Sequence, residues 1–151
     1  LEEEMKSFAA IAIALCILPG LAAAAPFKYI PAGQPGAPAP AFSAAVQDGN
    51  TLYISGTTDG MDPATGKPAD ATAGAKVVLN NVKATLEKAG YTMDDLVWVQ
   101  IFTTDLKYYG DFNAVYRTYF KGPLPARAFI GAGSLLGNAH FEVMGIARKR
   151  R

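Results

Sequence analysis

The pattern of apolar and polar positions changes period several times along the chain, and each change marks an element. Residues 44–47 and 51–55 are short apolar-rich runs separated by Asp48-Gly49-Asn50, residue types that accept the positive φ of a tight turn. The pair predicts a hairpin. Residues 60–70 contain Asp62-Pro63-Ala64-Thr65-Gly66, with proline and glycine at turn-forming positions, and predict a loop. Asp70 can cap a helix that runs to Ala89. Its Ala75, Val78, Leu79, Val82, Leu86 and Ala89 recur at three- and four-residue spacing, and Gly90 stands where a left-handed cap is wanted. Residues 96–103 alternate Val97, Val99 and Ile101 with Trp98, Gln100 and Phe102, as in a central strand covered on both faces. A shorter helix over about 111–120 aligns Phe112, Val115, Tyr116 and Tyr119 on one side and stops at Gly122-Pro123. Residues 126–132 and 141–147 read as two further strands.

The order β-β-α-β-α-β-β predicts an α+β fold, a mixed sheet with both helices packed on one face. Its other face is apolar and lacks further chain to cover it, so the pattern predicts a homo-oligomer.

The N-terminal part follows a different logic. Lys6, the apolar stretch 8–18 and the alanines 22–25 have the three parts of a secretory signal, and residues 1–4 before Met5 are set aside as vector or upstream residues. The stretch is shorter than the roughly 20 apolar residues a membrane span needs, so no stable membrane association is expected. Leu15 before Cys16 is too large for a lipoprotein cleavage site. The competing reading is a helix of the mature domain. Residues 26–40 form an extended lead-in rich in Pro, Ala and Gly, whose Pro31, Pro35, Pro38 and Pro40 should prevent any regular ladder, and residues 41–151 form a single domain. Cleavage would leave a mildly basic protein, periplasmic or secreted.

Composition narrows the chemistry. Half of the 151 residues are hydrophobic and 18% are charged, which suits one domain with a substantial core and excludes a disordered polyelectrolyte. With 14 Lys plus Arg against 13 Asp plus Glu, the net charge of +1 names neither nucleic acid nor an anionic membrane as partner. The single cysteine, Cys16, lies in the N-terminal apolar run, and the single histidine, His140, cannot form a histidine pair. Thiolate and multi-histidine metal sites are thereby excluded, and no metal is expected.

The ordered set Phe42-Ser43-Ala44-Ala45-Val46, Gly49 through Gly56 (GNTLYISG), Asp62-Pro63 to Gly66, Asn81-Val82-Lys83, Phe112-Asn113-Ala114-Val115-Tyr116, Pro125-Ala126-Arg127 and Phe141-Glu142-Val143 with Ile146-Ala147 resembles the RidA (YjgF) family, also described as endoribonuclease L-PSP, from about residue 39 to 148. The resemblance implies a chorismate-mutase-like fold assembled as a barrel-like homotrimer with pockets between subunits. It also implies hydrolytic deamination of small 2-imino acids and their enamines to 2-keto acids and ammonia, without metal or organic cofactor.

Residue by residue, Arg127 matches the group that holds the substrate carboxylate, a task suited to a permanently charged planar fork. Glu142 matches the acid beside the substrate nitrogen, able to orient water or relay a proton. Ser55 and the N–H of Gly56 match a polar corner of the pocket, and Asn113 an amide near the subunit boundary. Phe42 and Phe129 stand where many members carry tyrosine and cysteine, which predicts a drier and differently shaped pocket. The plainer readings stay open: a salt bridge for Arg127, an outward strand charge for Glu142, a strand end for Ser55 and a helix cap for Asn113. Two other functions also stay open. One is a non-catalytic trimeric binding module for small carboxylates. The other is RNA cleavage, for which Arg148-Lys149-Arg150-Arg151 is the basic cluster available.

Overall fold

In the computed structural model, six strands among the described residues form a single sheet. The structure describes residues 26–33, 36, 38, 40–60 and 70–149. The expected secretory segment with Cys16, the Asp62 to Gly66 turn, and Arg150 and Arg151 of the basic cluster lie outside the described residues. The strands are β1 (Lys28–Pro31), β2 (Ser43–Asp48), β3 (Thr51–Thr58), β4 (Leu96–Thr103), β5 (Ala126–Gly131) and β6 (Phe141–Arg148), and they lie in the order β1-β2-β3-β6-β4-β5. Among the described strands only β4 and β5 pair in parallel, across the crossover that contains the second helix; the other neighbours are antiparallel.

The first helix, α1 (Ala71–Lys88), follows the expected boundaries because its ends are chemically marked. The Asp70 carboxylate accepts the Ala73 N–H at 3.0 Å, and Gly90 takes φ +80° just beyond the end. Its buried stripe includes Ala75, Val78, Leu79, Val82 and Leu86. The second helix, α2 (Tyr109–Tyr116), is displaced toward the N-terminus of the expected segment. Single 3-10 turns at Leu106–Tyr108 and Arg117–Tyr119 extend it at both ends. A second difference lies in the lead-in. Its prolines were expected to forbid a ladder, yet residues 28–31 precede Pro35, Pro38 and Pro40 and pair with β2 as the outermost strand. Pro31 closes that strand at an irregular step, a place an edge tolerates.

Strand alternation assigns every side chain to one of two faces. The row Ile30, Ala45, Ile54, Gly145, Val99 and Arg127, aligned strand to strand, lies beneath the helices, and its apolar side chains are buried. The adjacent row Tyr29, Val46, Tyr53, Ile146, Trp98 and Ala126 lies on the face that neither helix covers, with Tyr29 and Tyr53 exposed.

A close contact ties α1 to the sheet. Gly74 stands against the buried Asp59 carboxylate at the end of β3, and a Cβ at this position would collide with Asp59 Oδ2. In an open helix, glycine to alanine stabilises by up to about 1 kcal/mol. Here Gly74→Ala is expected to destabilise instead, by about 1–3 kcal/mol, read as a lower midpoint in urea at unchanged slope.

Candidate active site

The expected site residues fall into two groups, each built by different elements. β5 delivers Arg127 and Phe129 to the helix side of the sheet, where α2 meets them. Arg127 Nη1 donates to Asn113 Oδ1 at 2.7 Å, and Nη2 lies 3.5 Å from the Tyr109 hydroxyl. The guanidinium carbon stands 4.9 Å from the Tyr116 ring centre, 5.6 Å from Tyr109 and 5.7 Å from Phe129. An aromatic nest of this kind holds a cation by its ring faces while leaving N–H donors free. Phe129 packs edge-on against Tyr109 at 5.1 Å and Phe112 at 5.5 Å. A cavity of about 140 Å³ opens here between Arg127, Asn113, Tyr116 and Leu124. Asn113 lies within α2, its amide oxygen engaged by Arg127, so it is no helix cap.

The second group surrounds a cavity of about 660 Å³ whose lining includes Phe42, Ser55, Gly56, Leu136 and Glu142. β3 breaks its regular pairing with β6 between Ile54 and Thr57, and this irregular step places Ser55 and Gly56 at the cavity. The Ser55 hydroxyl donates to the Ser43 carbonyl at 2.5 Å, so it locks β2 to β3 inside the strand rather than closing a strand end. Gly56 permits the Glu142 side chain to lie directly over its backbone, since a Cβ there would meet Glu142 Oε1. Phe42 and Leu136 are exposed.

Arg127 and Glu142 are thus not brought into one pocket of a single chain. Arg127 belongs to the helix-side row, whereas Glu142 aligns with Thr58 and Phe102 and alternates with the buried Phe141 and Val143, which turns it to the uncovered face. Among the described residues neither group takes part in an ion pair. A larger groove of about 820 Å³, beside Lys76, Asn80 and Tyr119, contains no member of either group. Sequence reasoning assigned no chemistry to Tyr109, although it precedes Asn113 by one helical turn and therefore shares its face.

Tyr116 carries an electrostatic consequence. Burial pushes its phenol up to about 12, against the opposing pull of the Arg127 charge. An unfolded tyrosine ionises near pH 10. Between about pH 10 and 12 the native chain therefore binds the proton that the unfolded chain has released, and stability falls as pH rises. The expected result is a declining urea midpoint over this range that Tyr116→Phe flattens in part, because Tyr91 and Tyr119 are raised by burial as well.

Comparison with known proteins agrees with this architecture. A profile described as Endoribonuclease L-PSP matches residues 34–149. The chain is 36% identical over 108 residues to the mouse (Mus musculus) 2-iminobutanoate/2-iminopropanoate deaminase, covering 70% of this chain and 79% of that protein. It is 35% identical over 110 residues to a RutC family protein of Sulfurisphaera tokodaii, covering 72% of this chain and 87% of that one. The crystal structure of E. coli TdcF with bound serine superposes with a TM-score of 0.70 at 30% identity, covering 82% of this chain and all of TdcF. With a profile match over most of its length and relatives above 30% identity across most of theirs, the chain belongs to the Endoribonuclease L-PSP family, the RidA and RutC proteins.

Proposed function

We propose that this protein hydrolyses small 2-imino acids to 2-keto acids and ammonia in pockets formed between the subunits of a homotrimer. One observation carries the reading. The cationic group and the carboxylate that the reaction needs are separately prepared, each beside a cavity, with the sheet between them. Apposition of two copies joins an arginine half to a glutamate half and also covers the apolar row on the open face. The mouse relative's deaminase name supports the reaction class. Serine, found bound in TdcF, bears a carboxylate of the kind Arg127 would hold.

In the proposed reaction Arg127 grips the substrate carboxylate through the donors that Asn113 leaves free. With the substrate in its protonated iminium form, Glu142 takes a proton from water as the water oxygen bonds to the carbon of the C=NH2+ group, whose π electrons pass to nitrogen and leave a neutral amine. Glu142 then returns the proton to that nitrogen. The C–N bond breaks, ammonia leaves, and loss of the hydroxyl proton leaves the 2-keto acid. Ser55 and Gly56 shape the polar corner, while Phe42 and Phe129 line an apolar wall that receives the substrate side chain.

The test generates imines in situ from several amino acids with an amino-acid oxidase, follows ammonia and keto-acid release, and measures the assembly by sedimentation. Acceleration by a trimer supports the reading. A trimer that binds a small carboxylate and accelerates none of the imines would make this a binding module instead. The proposed export segment would place this chemistry outside the cytoplasm, which cell fractionation of the untagged protein checks.

A further inference from the structure

The Asp59 carboxylate is buried, unused by the proposed reaction and surrounded by contacts that converge on one end of β6. Its side chain is 0% exposed. Oδ1 accepts the Phe141 N–H at 3.0 Å, and the Asp59 N–H donates in return to the Phe141 carbonyl at 3.3 Å. Oδ2 lies 2.9 Å from His140 Nδ1, and Gly74 of α1 closes the remaining side. His140 is itself braced. Its carbonyl accepts the Thr104 N–H at 3.1 Å, and its ring meets Tyr108 edge-on at 5.2 Å.

The place of this cluster in the ladder gives it meaning. Beyond the irregular step in β3, only Thr57 with Val143 and Thr58 with Glu142 remain paired before β3 ends. On its other side β6 is laddered to β4 through Thr103 with Phe141, Phe102 with Glu142 and Ile101 with Val143, whereas on the β3 side two rungs are a weak hold. Asp59 follows them directly and captures the residue adjacent to Glu142. On its β3 side Glu142 is therefore fixed twice, by the Gly56 backbone beneath its carboxylate and by the Asp59 clamp on the adjacent backbone. Removing a carboxylate from water is costly and is offset only by well-placed partners. Those partners here are the main chain and side chain of the two residues preceding Glu142.

We propose that Asp59, braced by His140, is a positioning residue that sets where Glu142 stands in the site; its catalytic meaning rests on the deaminase reading above. A displacement of about 1 Å at a catalytic group can cost a hundredfold in rate. The hydrogen bonds of Asp59 and His140 do not involve Arg127 or Asn113, so carboxylate binding should change little.

The test compares Asp59→Ala, Asp59→Asn and His140→Ala in the full assembled chain. Asp59→Ala is expected to lower kcat by about ten- to a hundredfold with KM held within about twofold. Asp59→Asn, which keeps an acceptor for the Phe141 N–H, should restore kcat to within about threefold, and His140→Ala should fall between. Amide exchange supplies a readout independent of activity: in Asp59→Ala, residues 141–143 should exchange at least about tenfold faster while β4 is unchanged. Unchanged exchange there would overturn the clamp. Faster exchange with kcat unaltered, or kcat and KM moving together, would overturn its bearing on Glu142. If Asp59→Ala fails to fold, His140→Ala carries the same two readouts, and unchanged values overturn the proposal. A wild type inactive on every imine would remove the functional reading, while the exchange result would still decide the clamp.

Discussion

Arg127→Ala is expected to lower kcat/KM for 2-imino acid hydrolysis about a hundred- to a thousandfold, with the assembly intact. The size follows from what is lost. A charge-assisted, two-pronged grip on a carboxylate in a half-enclosed site contributes about 3–4 kcal/mol to transition-state binding, and alanine supplies none of it. Asn113 and the rings of Tyr109, Tyr116 and Phe129 preorganise the guanidinium, so little ordering remains to be done when substrate arrives. Lysine at this position would keep the charge but not the fork, and should recover only a small part of the loss. The measurement is ammonia release from oxidase-generated imines at several concentrations. An assembled Arg127→Ala protein with wild-type turnover would refute the role.

The second large effect is a gain of activity. Arg127→Ala and Glu142→Gln subunits should each be inactive alone, yet mixing them under conditions that allow subunit exchange should restore about a quarter of wild-type activity. At equal proportions, about one interface in four joins an intact arginine half to an intact glutamate half. A pocket built within one protomer could not be repaired in this way. Absence of any recovery, with exchange demonstrated by tagged subunits, would contradict the shared site.

Where the sequence marked its intentions chemically, the fold was legible. Asp70 and Gly90 bracket α1, and the apolar run 96–103 matches β4 at both ends, although Val97 is exposed where the register shifts and does not share the buried face of Val99 and Ile101. The order of elements also foretold two helices on one face and an uncovered opposite face. β1 escaped notice because the prolines after it dominate the composition of the lead-in, while its four residues acquire structure only by pairing with β2. The limits of α2 were blurred by 3-10 turns, whose residues resemble helix in pattern but not in hydrogen bonding.

The candidate site was legible as a set of residues and not as a place. Resemblance selected Arg127 and Glu142 together, but only the strand register shows that they face opposite ways. A register is set by long-range pairing, such as Glu142 with Phe102, that local pattern does not encode. Asp59 and His140 were passed over for the same reason. They are separated by most of the domain in sequence, and an isolated aspartate after a strand reads as an ordinary turn residue.

β5 closes one edge of the sheet, bonded among the described strands to β4 alone and reached through the long crossover that contains α2. A strand held by one ladder is the least costly segment of a sheet to peel away, and Arg127 is mounted on it. The aromatic nest therefore serves a mechanical purpose besides an electrostatic one: three rings from two elements rivet the loose margin of the sheet to the helix layer.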